Sequence, residues 1–435
     1  MRRLPLIVLL AALAATGARA QTREVRIDIA GSGRRMQLYC EAFETGRLPA
    51  GAPAARQADE VLAADLEQSA VFLVSRAWAG QPPFDVEAVT GGRWKVSGGQ
   101  VTLEGEVRDF PARRPILSKV YRGPVADWRR LVHQFADDIV LQFTGEPGVA
   151  GTRIAFMVVE GRSKELWVMD VDGAGARSLT RDRSIALSPS WSPDGSLLAF
   201  STYRDGGSPH LYVVPATGGK LYPVSVRPGL NTSPAYSPDG RELACTLSKD
   251  GNSEIYVLDA RGGSPRRLTD NRAIDTSPCW SPTGREIAFT SDRSGLPQVH
   301  VMDRDGGNVR RLTYEVDYTD SPAWSPRGDL VAFVSRTSMG FDLYVCGAGG
   351  ANARLVVSGG SNENPRWSPD GRHLVFASNR EGPYALFVSD LDGRPPRKLD
   401  TGARTAMSPS WSPSPSHMAT TVPTNASHSN PGGRP

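Results

Sequence analysis

The sequence predicts an all-β six-bladed β-propeller preceded by a small α/β domain, on two observations. The first is a phrase that returns six times between residues 188 and 412. Ser188-Pro189-Ser190-Trp191-Ser192-Pro193-Asp194-Gly195 recurs from Ser233, from Ser277, and around Trp324, Trp367 and Trp411. From aromatic to aromatic the steps are 45, 44, 44, 43 and 44 residues, and a period near 44 with strand-like content is that of four-stranded propeller blades. The second is that residues 21–148 lack this period and mix helical with alternating spacing.

The elements follow in chain order. Arg2 and Arg3, an apolar run over residues 6–15, and Ala18-Arg19-Ala20 read as a secretory signal peptide over residues 1–20, cleaved before Gln21. The run is too short to cross a bilayer, and no Cys follows Ala20, so a soluble periplasmic protein is expected, with no membrane insertion. Removal of three leader arginines takes the formal charge from +4 to +1, which argues against nucleic acid as a partner. Residues 21–148 form the α/β domain. Here residues 24–29 alternate like a strand, and residues 56–72 have helical spacing through Val61, Leu62, Leu66 and Val71. Residues 95–110 read as a hairpin around Gly98-Gly99, and Asp127 is placed to cap a helix burying Leu131, Val132, Phe135, Ile139 and Val140. Residues 146–151 read as a linker.

The propeller is expected over residues 149–413. In each repeat Ser-Pro-Asp-Gly suits a tight turn, an apolar run such as Leu197-Leu198-Ala199-Phe200 follows, and a Leu-Tyr-Val-type strand such as residues 211–214 comes next. The recurrent Trp or Tyr is read as packing between blades. The first blade lacks a leading phrase and the sixth phrase lacks a blade, so that phrase is expected to close the ring, removing the exposed sheet edges. Residues 414–435, rich in Pro, Ser, Asn and Gly, read as a disordered tail.

No catalytic or metal set emerges. The histidines (His133, His210, His300, His373, His417, His428) share no ligand spacing, and no H-E-x-x-H, G-x-S-x-G or Walker loop occurs. Asp170-x-Asp172-Gly173 and Asp390-x-Asp392-Gly393 look like fragments of calcium loops but lack the closing Glu, so they are read as turn residues. No cofactor is expected. Cys40 lies alone in the α/β domain, whereas Cys245, Cys279 and Cys346 read as buried small hydrophobes. Cys245 and Cys279 belong to adjacent blades, which leaves a bridge open as the alternative.

A leader, then Glu24-Val25-Arg26-Ile27, an α/β domain and a ring of S-P-x-W-S-P-D-G repeats together resemble the TolB family of the Tol–Pal system. The resemblance covers about residues 21–413. It implies a non-enzymatic, monomeric periplasmic adaptor that binds the lipoprotein Pal through the propeller and TolA through the N-terminal strand, supporting outer-membrane integrity and constriction at division. The TolA epitope implied is Glu24, Val25, Arg26, Ile27, Asp28 and Ile29. The Pal mouth implied is formed by Leu230, Asn231, Thr232 and Ser233, by Asp275 and Thr276, by Thr319 and Asp320, and by Asn362, Glu363 and Asn364. Leu230 stands where the family places a His. Independently, short hydrogen-bonding side chains from several blades suit a binding mouth, or else merely cap turns before Pro. Asn231 and Thr276 are expected on the rim, where bulky replacements leave the fold intact. The alternatives are a secreted propeller enzyme, glycan lyase or peptidase-like, with its site in the channel, and a purely structural surface propeller.

Overall fold

The computed structural model describes residues 34–49, 51–76 and 85–415. The leader, the 24–29 segment and residues 416–435 of the expected tail lie outside the described residues. The α/β domain runs β1 (Met36–Cys40), β2 (Glu44–Thr45), α1 (Ala55–Gln68), β3 (Phe72–Arg76), β4 (Ala88–Ser97), β5 (Gln100–Asp109), β6 (Pro115–Pro124) and α2 (Trp128–Thr144). Its sheet has the order β3-β1-β4-β5-β6, with β2 paired to β4. β1 is parallel to β3 and β4, whereas β4, β5 and β6 form an antiparallel meander. Gly98 and Gly99, both at positive φ, make the two-residue turn between β4 and β5.

One core joins both helices to the sheet, with Leu62, Leu66, Phe72, Leu131, Phe135 and Ile139 fully buried. A Cβ on Gly105 would sit 2.6 Å from the Phe135 ring, so only glycine lets β5 and α2 approach this closely. Two expectations need correction. The first helix ends at Gln68, not Phe72: the Ser69 hydroxyl donates to the Leu66 carbonyl at 2.6 Å, and Ala70 at φ 60° turns the chain. Phe72 instead begins β3. Asp127 occupies the N-cap of α2, but its carboxylate accepts from Arg130 at 3.1 Å and caps no backbone amide.

Six four-stranded sheets make the propeller. Blade I contains Arg153–Glu160, Ser163–Asp170 and Arg177–Ser178, with Ala406–Trp411 as its inner strand. The inner strands of blades II to VI are Ala186–Trp191, Asn231–Tyr236, Asp275–Trp280, Thr319–Trp324 and Asn362–Trp367. The closure expected from the sixth phrase is present: Ala406 pairs with Val158 and Trp411 with Ile154, in antiparallel register. The Ser412 hydroxyl accepts from the Arg153 amide at 2.9 Å, and Trp411 Nε1 donates to Thr152 at 2.8 Å. Ser414, at the start of the expected tail, is buried and donates to the Gly148 carbonyl.

The repeated phrase has one physical job per position. In Ser192-Pro-Asp-Gly195 the Gly195 amide returns to the Ser192 carbonyl at 2.8 Å, and the Ser192 hydroxyl accepts from the Leu197 amide at 2.9 Å. The tryptophans tie blades together. Trp191, Trp280 and Trp367 donate through Nε1 to the carbonyls of Ser410, Ala235 and Ala323 in the preceding blade. Two residues earlier a Pro, having no N–H to give the ladder, sits inside a β-bulge in every inner strand. The residue before it, Ser188, Ser233, Ser277, Ser321, Asn364 or Ser408, has φ between 49° and 54°. All four cysteines are free, so the Cys245–Cys279 bridge does not form. The Cys279 sulfur instead accepts the Trp324 amide at 3.2 Å.

Candidate functional site

The two mouths of the propeller differ in kind. The Ser-Pro-Asp-Gly turns mark one mouth, and there the α/β domain is fastened to blades V, VI and I. Arg35, just before β1, donates to Asp390 at 2.7 Å and to Asp392 at 2.8 Å. Arg129 pairs with Asp172, and His133 lies between Asp65 (2.7 Å) and Asp172 (3.5 Å). Glu146 pairs with Arg327 and, at 3.1 Å, with Arg372. The aspartates read as turn residues at 170–172 and 390–392 therefore also form part of this seam. The expected linker is equally fixed: Val149 and Ala150 are buried, and the Ala150 and Gly151 amides donate to the two oxygens of Asp137.

Electrostatics at this seam follow from burial against pairing. Burial would push the Asp390 carboxyl up, but the His373 ring at 2.7 Å and the Arg35 guanidinium outweigh it and hold it at about 2. For Asp137 burial wins, and its carboxyl is pushed up to about 7 despite the two amide bonds. Burial lowers the tendency of His133 to hold a proton, but the Asp65 and Asp172 carboxylates more than reverse this.

Among the described residues no element packs across the opposite mouth, where the inner strands begin. The residues expected there divide into three groups. Asn231, Asp275, Thr319 and Asn362, each first in its inner strand, are fully buried. Asn231 accepts from Ser225 and the Arg227 amide and donates to the Arg227 and Gly229 carbonyls. Asp275 pairs with Arg293 at 2.7 Å. The expectation of Asn231 as a tolerant rim residue is therefore corrected: its amide holds the loop in place from within. Asp320, Glu363 and Asn364 are half-buried and bonded along the rim, to Thr290, to Ser361 and Tyr384, and to Ser408. Leu230 is exposed, and Thr232, Ser233 and Thr276 are half-buried.

Sequence reasoning missed the apolar character of this mouth. Ile185, Leu230 and Ile274 stand one residue before their inner strands and are exposed, and nearby loops add Val226, Leu296, Tyr314 and Met339. Seven of the ten exposed large hydrophobics of the described blades thus lie on one mouth, which sets it apart from scattered surface residues. Aligning the repeats would have exposed the Ile185–Leu230–Ile274 series. Of these only Leu230 is among the mouth residues expected from the sequence. Among the described residues no group of His, Cys, Asp or Glu is arranged to hold a metal ion, and no helix is long and apolar enough to cross a membrane.

A propeller with an α/β domain fastened across part of one mouth and an apolar, hydroxyl-bearing rim on the other has the architecture of a scaffold suited to binding. A family profile described as "TolB beta propeller domain" matches residues 140–415, and the chain belongs to the TolB family. Similar proteins include the "Protein TolB homolog" of Chlorobium chlorochromatii, 38% identical over 46% of this chain and 49% of that protein. The "Tol-Pal system protein TolB" of Anaeromyxobacter sp. is 37% identical over 47% and 51%. The matched part of the chain thus spans about half the length of these relatives. The crystal structure of TolB from Acinetobacter baumannii superposes with a TM-score of 0.77 over 88% of this chain and 97% of that one, at 24% identity, which agrees in fold.

Proposed function

We propose that this chain is the propeller component of a Tol–Pal system in the bacterial envelope. In this reading it is a periplasmic adaptor that docks the lipoprotein Pal on its open mouth and engages TolA through Glu24 to Ile29. The observation that carries the reading is the apolar rim of Ile185, Leu230, Ile274, Leu296 and Met339 on the mouth that the α/β domain leaves free. Aliphatic anchors surrounded by half-buried threonines and serines suit a docked protein loop better than a small polar substrate. Thr232, Ser233, Thr276, Asp320, Glu363 and Asn364 then supply the polar contacts, whereas Asn231, Asp275, Thr319 and Asn362 shape the loops from behind.

The TolA half of the proposal draws support from the sequence and from Arg35. Residues 25, 27 and 29 are apolar while 24, 26 and 28 are charged, the pattern for strand addition to a partner sheet. Only six residues beyond Ile29, Arg35 is clasped to blade VI. In this reading Arg35 anchors the chain shortly after the segment, and any coupling between propeller occupancy and TolA binding must be reciprocal. Size-exclusion chromatography of the full chain with purified Pal and TolA domains tests both halves. Deleting residues 21–29 should abolish co-elution with TolA and leave co-elution with Pal; retained TolA binding would place that epitope elsewhere.

A further inference from the structure

We propose that the central channel holds a small oxyanion, a carboxylate or a phosphate, with Arg366 as its fixed cation. The inference does not depend on the Pal reading, because the cavity lies within the ring. The six Ser-Pro-x-Trp-Ser-Pro phrases enclose about 350 Å³. Serines, prolines and aromatics line it with a few small residues; among the described residues Arg366 is the one charged side chain of the lining, and no Asp or Glu takes part. Arg366 fills the position that the other blades give to Ser190, Ala235, Cys279, Ala323 and Ser410. This repeat thus replaces a small side chain with a guanidinium pointed toward a ring that elsewhere lacks charge.

That charge is left without a counter-ion. Arg366 Nη1 donates to the adjacent Pro365 carbonyl at 2.8 Å, and a guanidinium has five N–H donors in all. Its enclosure disfavours the charged form, and the one acid acting on it is the Cys279 thiol. Burial pushes that thiol up, so it stays protonated and offers no compensating charge. The guanidinium is part-buried, so water in the cavity solvates some of its charge, and an anionic ligand would replace that water with a charge-assisted pair. Tyr236, which replaces Trp in its blade, also lines the cavity, but its hydroxyl is shielded from it, so Arg366 supplies the donors.

Size and charge narrow the ligand. With each water taking about 30 Å³, the cavity accepts roughly ten waters, or a small oxyanion with part of its shell. A divalent cation does not fit this chemistry, since it needs several oxygen ligands with carboxylates among them and would face a fixed positive charge.

Calorimetric titration of the full chain with sodium succinate, and separately with sodium phosphate, at constant ionic strength tests the proposal. Wild type should bind at least one of the two, and which one it binds identifies the ligand as carboxylate or phosphate. Arg366→Met should weaken that binding by about tenfold or more, the usual worth of a charge-assisted pair. Its melting temperature without anion should stay close to that of wild type, because the charge removed is part-buried and has no charged partner. Ser410→Asp, which places a carboxylate at the same level in the neighbouring blade, should abolish anion binding by supplying the counter-ion internally. Equal responses of wild type and either folded variant, or no response of wild type to both anions, would overturn the assignment.

Discussion

The two mouths of this propeller are made from opposite ends of the same repeated strands, yet they differ in what covers them. At the turn end, charged side chains from blades V, VI and I meet partners on the α/β domain, and the linker amides are consumed by Asp137. At the strand-start end, the corresponding loops present isoleucine, leucine and methionine to solvent; Ile274, Leu296 and Met339 are 54%, 55% and 82% exposed. A repeat fixes the ring, and the residues that vary between repeats decide which end meets the α/β domain and which presents the apolar rim that the proposed function uses.

The sharpest way to break the comparison is to remove the closure both mouths depend on. Truncation before Met407 deletes most of the inner strand of blade I and leaves Arg153–Glu160 with an unpaired edge. We expect a loss above about 4 kcal/mol, of the kind reserved for essential elements, seen as loss of cooperative melting by circular dichroism. Truncation after Pro415 is the control and should melt like the full chain.

The mouth joined to the α/β domain is tested next. Arg35→Ala should destabilise the docking of the α/β domain by about 2 kcal/mol, mostly through Asp390, since Asp392 is partly in solvent. Because the folded Asp390 value is depressed to about 2, its contribution is present above the unfolded value near ~4 and is lost as pH falls through about 2. Stability should therefore fall less steeply over that window in Arg35→Ala than in wild type, by denaturant titration at each pH.

Most of the ring was legible in the sequence because each step of the phrase has a local cause: Pro and Gly for the turn, Trp for the blade contact. The seam was not. Arg35 and Asp390 are 355 positions apart, and no local pattern links them. The polar residues at the open mouth misled for a different reason. Asn231 and Thr276 look alike as short polar residues ahead of Ser-Pro, but Asn231 is first in its inner strand and Thr276 second, so they face opposite sides. The bulge that follows hides this alternation from a count back from the aromatic. The bulge itself has a visible signal, a Pro inside a strand, that reads equally well as a turn.

That distinction gives a smaller test. Asn231→Ala should destabilise the fold by about 1–3 kcal/mol, since it strips partners from buried loop groups, while Thr276→Ala should be near neutral; thermal melts of the pair decide it. Smaller again is the effect of Asp137. Its folded value is raised to about 7, so its contribution is fully present below about 4 and lost as pH rises through about 7. The advantage of wild type over Asp137→Asn in urea denaturation should accordingly shrink between about pH 4 and about pH 7, the unfolded and folded values. A constant difference would mean the Asp137 carboxyl is already ionised in the fold.

The central claim, that the open apolar mouth is the docking face, is tested most directly by calorimetric titration of the Pal domain against Ile274→Asp and Val309→Asp. Both residues are exposed hydrophobics of blade IV, but Val309 lies at the turn end. The account predicts that Ile274→Asp weakens binding by about 1–3 kcal/mol, as a central contact does, while Val309→Asp binds like wild type. Equal affinities for the two variants, or a loss confined to Val309→Asp, would contradict it.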